Sequence, residues 1–143
     1  MLVSQVLKSK GDAVFTVTPS ETLSAVAAML YARRVGAMVV VDAHDQVVGI
    51  LSERDVVRVV AEEGAAALSL SVADCMTRDV VFAGAHESVD ALLERMTDRR
   101  MRHLPIIVDG RLAGIVSIGD LVKFKIAEAE AEAEGLRAYI HAA

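Results

Sequence analysis

Two heptapeptides place a hydroxyl and a carboxylate three residues apart behind a glycine: Gly49-Ile-Leu-Ser-Glu-Arg-Asp55 and Gly114-Ile-Val-Ser-Ile-Gly-Asp120. Each follows a β-branched run and leads into a helical pattern, so its serine falls at a predicted helix start. Unpaired amides and the helix dipole favour an anion there, and the hydroxyl adds a donor. An aspartate one turn later can accept two hydrogen bonds from a vicinal diol such as a ribose. A nucleotide carries both groups. The same spacing is also that of a capping box, in which the aspartate turns back to its own serine amide. A single copy favours capping; two copies in matched frames leave capping and binding both open.

Other groups offer less chemistry. Cys75 is the one cysteine, which excludes an intrachain disulfide and a thiolate metal cage, and it reads as a buried thiol beside Met76 at a helix end. His44, His86 and His141 lack close ligand spacing, so no metal site is expected, and His103 reads as a cleft or cap residue. Neither a serine triad, paired carboxylates nor a P-loop glycine cradle stands out, so no catalytic residues and no enzyme are expected. Arg33, Arg34, Arg99 and Arg100 read either as solvated helix ends or as help for a polyphosphate.

The 143 residues, 54% of them apolar, suit one compact domain or two small intertwined halves. Fifteen Lys and Arg against 20 Asp and Glu give a net charge of −5, which disfavours general nucleic-acid binding. Aromatics are only 3%, too few for base-stacking platforms, so the core must be built from Val, Leu, Ile, Ala and Met. No uncharged apolar stretch approaches the roughly 18 residues of a membrane span, and the first ten residues carry their charges behind the apolar ones. A cytoplasmic protein without membrane attachment is the default expectation.

The elements that must position the two turns repeat along the chain. Met29 to Asp42 (MLYARRVGAMVVVD) reads against Met96 to Asp109 (MTDRRMRHLPIIVD) at an offset of 67, which pairs Met29 with Met96 and Met38 with Pro105. The two glycine heptapeptides lie 65 apart, because the turn Ala43 to Gln46 is longer than Gly110-Arg111. Each half predicts a short strand (Ala13 to Val17; Val80 to Ala83) and a helix (Pro19 to Val35; Glu87 to Met101). A hairpin follows (Met38 to Val41 with Val47 to Leu51; Ile106 to Val108 with Leu112 to Val116), then a second helix from Ser52 or Ser117. Thr18-Pro-Ser-Glu21 offers a capping box with proline at the first helical position. Residues 65–71 form a small-residue connector.

The expected class is therefore α/β (α+β): two β-α-β-β-α repeats packed about a pseudo-twofold axis. Residues 1–64 form the first repeat, 65–124 the second, and 125–143 an acidic helical extension, because Ala and Glu favour helix despite their alternation. Glu128 with Glu132 and Glu130 with Glu134 are like-charge pairs that weaken it slightly. Its exposed side reads as a solvated face, or as a partner-contacting arm through Leu136, Tyr139 and Ile140.

The paired G-x-x-S-x-x-D elements, the strand-turn-strand units and Arg102-His-Leu-Pro-Ile-Ile-Val108 resemble the CBS domain family over residues 3–122, and Leu136-Arg-Ala-Tyr-Ile140 resembles the tail of small stand-alone CBS-pair proteins. That resemblance implies a regulatory Bateman-type module, often a homodimer, that binds adenosine-containing ligands in clefts between its repeats. Carried over residue by residue, it implies Ser52, Asp55 and Ile50 in one cleft and Ser117, Asp120 and Ile115 in the other. Thr18 and Ala37 would stand beside Asp120, and Arg102, His103 and Leu104 beside Asp55. Aligned at 67, Arg102 and His103 replace Val35 and Gly36, and aligned at 65 Arg54 replaces Gly119, so the Asp55 cleft gathers cations and the Asp120 cleft looks charge-poor.

The ligand expected is AMP, or else ADP, ATP, NADH or S-adenosylmethionine; no other cofactor is implied. The module would sense energy status and act in trans on an unidentified protein target. The competing expectation is a constitutive interaction or dimerisation module whose clefts are empty or structural.

Overall fold

The computed structural model describes residues 1–11 and 14–142. Among them the chain runs α1 (Val3–Lys10), β1 (Thr16–Val17), α2 (Leu23–Arg33), β2 (Ala37–Val41), β3 (Val47–Ser52), α3 (Glu53–Glu63), a 3₁₀ segment (Gly64–Ser69), α4 (Val72–Cys75), β4 (Ala83–Gly84), α5 (Val89–Arg99), β5 (His103–Val108), β6 (Arg111–Ser117) and α6 (Ile118–Ala142). The β-α-β-β-α order thus occurs twice. Each copy has a three-stranded sheet, β1-β2-β3 or β4-β5-β6, with one parallel and one antiparallel pairing. Ala13, the predicted start of the first strand, lies outside the described residues.

The contacts divide the chain into two compact units, one contiguous in sequence and the other built from two separate segments. One holds β1 to α4; the other holds α1 with β4 to α6. Each sheet is therefore joined by a leading segment that precedes the other repeat's elements. The two leading segments make the same backbone hydrogen bonds. In the α1 unit, the Val3 amide donates to Glu87 O at 2.9 Å, Ser4 to Ala85 O at 2.9 Å, and Val89 to Met1 O at 3.0 Å. In the α4 unit, Val72 donates to Glu21 O at 2.8 Å, Ala73 to Pro19 O at 3.0 Å, and Leu23 to Leu70 O at 2.9 Å. The connector is thus not a passive linker: Ala67 is fully buried, and Val72 and Cys75 join Val17, Leu23, Met38 and Leu51 in one apolar cluster. Burial pushes the Cys75 thiol pKa up, with Asp74 adding to it.

Both long repeat helices start later than predicted. The Thr18 amide donates to Glu21 Oε2 at 2.7 Å, but Thr18 to Glu21 is a turn, because the Glu21 and Pro19 carbonyls are taken by the leading segment. α2 begins after Thr22, whose hydroxyl accepts the Ala25 amide at 3.2 Å, and α5 begins after Ser88, whose hydroxyl accepts the Ala91 amide at 3.0 Å. Both end on arginines in the left-handed region, Arg34 at φ 55° and Arg100 at φ 53°.

These landmarks correct the repeat register by one residue. Thr22 and Ser88, Leu30 and Met96, and Arg34 and Arg100 are equivalent, each 66 apart. Ladder pairing agrees: Ala37 pairs with Ser52 as His103 pairs with Ser117, and both hairpins carry a bulge at the equivalent step. Val39 therefore stands where Pro105 does, and Gly36 and Ala37 stand where Arg102 and His103 do. The offset of 67 rested on the Met29/Met96 and Asp42/Asp109 identities, whereas caps and hydrogen-bond ladders set the true frame. It drops to 65 through the hairpin, where Asp109-Gly110 makes a tight turn with φ 51° and 75°, while residues 42–46 form a longer loop.

The acidic extension continues α6 without a break, as its helix propensity implied, giving 25 residues anchored by the buried Leu121.

Candidate functional site

The serines of both heptapeptides end a strand and begin a helix. In the first turn, Asp55 Oδ2 accepts the Ser52 amide at 2.8 Å and the Ser52 hydroxyl at 3.0 Å, while the Asp55 amide donates to Ser52 Oγ at 3.3 Å. The other oxygen, Oδ1, takes Arg58 Nη2 at 3.1 Å and the Thr77 hydroxyl at 3.4 Å. Both carboxylate oxygens are thereby engaged by protein. Ile50 exchanges two backbone hydrogen bonds with Thr77, at 3.0 and 2.9 Å, so the end of the leading segment crosses β3 at Gly49. A side chain at Gly49 would collide with the Met76 thioether and come within 3.0 Å of Thr77 O, which is why the position is glycine.

The second turn repeats the cap. Asp120 Oδ2 accepts the Ser117 amide at 2.9 Å, and the Asp120 amide donates to Ser117 Oγ at 3.0 Å. The crossing segment differs, because α1 continues as helix to Lys10 where α4 stops at Cys75. Its Leu7 packs over Gly114, and Lys10 Nζ donates to Ile115 O at 2.7 Å and to Asp120 Oδ2 at 2.6 Å. The lysine ammonium so meets the carbonyl that the Thr77 amide meets in the other unit. Burial would raise the Asp120 pKa, but the Lys10 ammonium and the Ser117 amide outweigh it and hold the carboxyl below the ordinary carboxylate value. Asp120 Oδ1 has no hydrogen-bond partner among the described residues.

Both aspartates therefore perform the capping role that the spacing allowed. The Asp120 turn is not charge-poor, since Lys10 lies against it; Arg58 does the same for Asp55. Neither cation was found by sequence reasoning. Lys10 lies 110 residues from Asp120 in a segment whose helix carried no cap signal. Arg58 was findable, one helical turn beyond Asp55.

The remaining predicted residues are distributed as follows. Arg54 is exposed on the first turn of α3, and Thr18 is exposed in the turn before α2, with its hydroxyl 3.3 Å from that of Ser20. Ala37 is buried at the start of β2. Arg102 is exposed, and its carbonyl accepts the Ile118 amide at 2.8 Å, tying the start of β5 to the start of α6. His103 opens β5 half-buried, and Leu104 is fully buried. Among the described residues no helix is long and apolar enough to cross a membrane.

Two matched sheet-and-helix units, each with a Gly-Ile-x-Ser-x-x-Asp turn held under a crossing segment, define a paired CBS-domain architecture, and the CBS domain family model matches residues 3–62 and 72–127. The chain belongs to that family, whose paired domains are regulatory modules. Among its relatives is the CBS domain-containing protein CBSX3, mitochondrial, of Arabidopsis thaliana, 35% identical over 96% of this chain and 71% of that protein. The crystal structure of the CBS-domain containing protein ATU1752 from Agrobacterium tumefaciens superposes with a TM-score of 0.84 at 47% identity, covering 85% of this chain and 91% of that one. At 23% identity, the CBS domain pair of protein MJ0100 shares the fold with a TM-score of 0.78, over 90% of this chain and 98% of that one; it was crystallised with 5′-methylthioadenosine and S-adenosyl-L-methionine.

Proposed function

We propose that this protein is an adenosine-nucleotide-binding regulatory module, with AMP its first candidate ligand and ADP, ATP, NADH or S-adenosylmethionine the others, and that it acts in trans on a protein target. The observation that carries this reading is Asp120 Oδ1, which has no hydrogen-bond partner among the described residues, at the start of a 25-residue helix and beside a lysine ammonium. The oxygen accepts a ribose hydroxyl while the cap on Oδ2 stays intact; the amides at the helix start and Lys10 favour the phosphate. The adenosyl ligands of MJ0100 support the ligand class. Asp55 contributes the second turn once Thr77 or Arg58 yields one of its bonds. Thr18, Ala37, Arg102, His103 and Leu104 enter this reading through family resemblance alone.

Calorimetric titration of AMP into the full chain tests it. Asp120→Asn keeps an oxygen for the Ser117 amide and removes the charge. Hydrogen bonds to a charged group are worth about 1.5–3 kcal/mol, so affinity falls by roughly 10- to 150-fold. A second reading, a constitutive interaction module, is favoured by the prior engagement of both aspartates as caps. Absence of heat with all five ligands, with the chain folded, decides for that second reading.

A further inference from the structure

The extension of α6 leaves an ordered apolar stripe uncovered. Val122, Ile126, Ala129, Ala133, Leu136 and Ile140 recur at alternating spacings of four and three, and all six are exposed, with Ile126 at 54% and Ile140 at 67%. At 100° per residue they fall within an arc of about 80°. The face that meets the helix's own unit is the neighbouring one, through the buried Leu121 and through Lys125, whose Nζ lies 3.0 Å from Asp90. A strict seven-residue period is the pattern of a two-helix seam: Ile126, Ala133 and Ile140 take the a positions, and Val122, Ala129 and Leu136 the d positions. Branched isoleucine at a with leucine at d favours two strands, and the alanines permit a close approach.

The flanking charges choose the occupant and its direction. In a parallel, in-register pair, the g position of one helix meets the following e position of the other. That sets Glu132 against Arg137 of the second copy, opposite charges occurring twice by symmetry, and Glu130 on the side of Lys125, whose ammonium Asp90 of its own chain already shares. Antiparallel pairing that matches the apolar layers would set Glu130 on Glu130, Glu132 on Glu132 and Lys123 on Arg137. We infer that α6 is a homotypic seam: it pairs with α6 of a second copy of this chain, parallel and in register. This inference does not depend on any ligand.

Disulfide trapping of the full-length protein tests it. Ala129→Cys puts identical d positions face to face, whereas Ala131→Cys points away from the seam; the native Cys75 is buried and contributes little background. In a glutathione redox buffer the Ala129→Cys chain should form covalent dimer at least fivefold faster than the Ala131→Cys chain. Adding Arg137→Glu to Ala129→Cys should slow trapping about tenfold, and adding Glu132→Arg as well should restore it, since the opposed pair is rebuilt with its signs exchanged. Equal trapping at both positions, or an Arg137→Glu variant that traps as fast as its parent, overturns the inference. Faster trapping in a mixture of Ala129→Cys and Ala133→Cys chains than in Ala129→Cys alone overturns it too, in favour of antiparallel pairing.

Discussion

The Lys10 to Asp120 contact should behave as a coupled, pH-dependent tie between α1 and α6, measurable by a double-mutant cycle of Lys10→Met and Asp120→Asn. The two charges are 2.6 Å apart, with side chains 33% and 28% exposed. At an effective dielectric constant of about 20 the gross attraction is several kcal/mol, but desolvation and solvent screening offset most of it, leaving a coupling of about 1 kcal/mol. The cycle is needed because Lys10→Met also releases Ile115 O, a loss that cancels in the difference. In a chain of this size 1 kcal/mol moves Tm by about 3–4 °C. Because the folded Asp120 pKa lies below its ordinary 3.8, the contribution is complete above the unfolded value and is lost as pH falls through the folded one. Urea unfolding of the four proteins should therefore give constant coupling from pH 7 to about pH 5, and shrinking coupling below about pH 4. Coupling under about 0.3 kcal/mol at pH 7 in low salt would refute the tie, and coupling that persists at pH 2 would refute its ionic nature.

Three further outcomes follow from other contacts. Gly49→Ala should cost about 1–3 kcal/mol in urea unfolding and more than Gly114→Ala, because the added methyl meets the backbone carbonyl of Thr77, whereas at Gly114 it meets only the mobile end of Leu7; equal costs would contradict this. Arg34→Gly or Arg100→Gly should raise Tm, each by roughly 0.5–1 kcal/mol equivalent, because both arginines sit left-handed at helix ends; a lower Tm would show that their side chains stabilise more than the strain costs. Glu87, held below its ordinary value by Arg95 first and the Gly84 amide second, stabilises the fold above about pH 4.5 and stops doing so as pH falls through its folded pKa. The stability difference between wild type and Glu87→Gln should therefore vanish in acid and persist from pH 6 to 8.

Much of the architecture was legible because local chemistry and global packing agree. Asp109-Gly110 suits a tight turn with two positive φ angles, β-branched runs mark both hairpins, and Ala and Glu carry α6 through a strand-like alternation. Legibility failed where one residue of register mattered. Identical letters at Met29/Met96 favoured the wrong frame, and only Thr22, Ser88 and the strand ladders exposed the slip. It failed again at Thr18 to Glu21, where a capping signature was realised in its hydrogen bond yet denied a helix by two carbonyls that the leading segment needed.

The residue types and intervals along the chain were enough to specify two repeats, two Ser-x-x-Asp turns and the family to which they belong, since propensity, capping and hydrophobic period act over a few residues. Folding in three dimensions settled matters of long range. It placed each leading segment over the sheet of the other repeat, set Lys10 on Asp120 across 110 residues, and engaged both Asp55 oxygens, one in its cap and one with Arg58 and Thr77, while Asp120 Oδ1 keeps no partner among the described residues. Such pairings depend on which distant backbone groups each turn must satisfy, and no local interval along a chain encodes that.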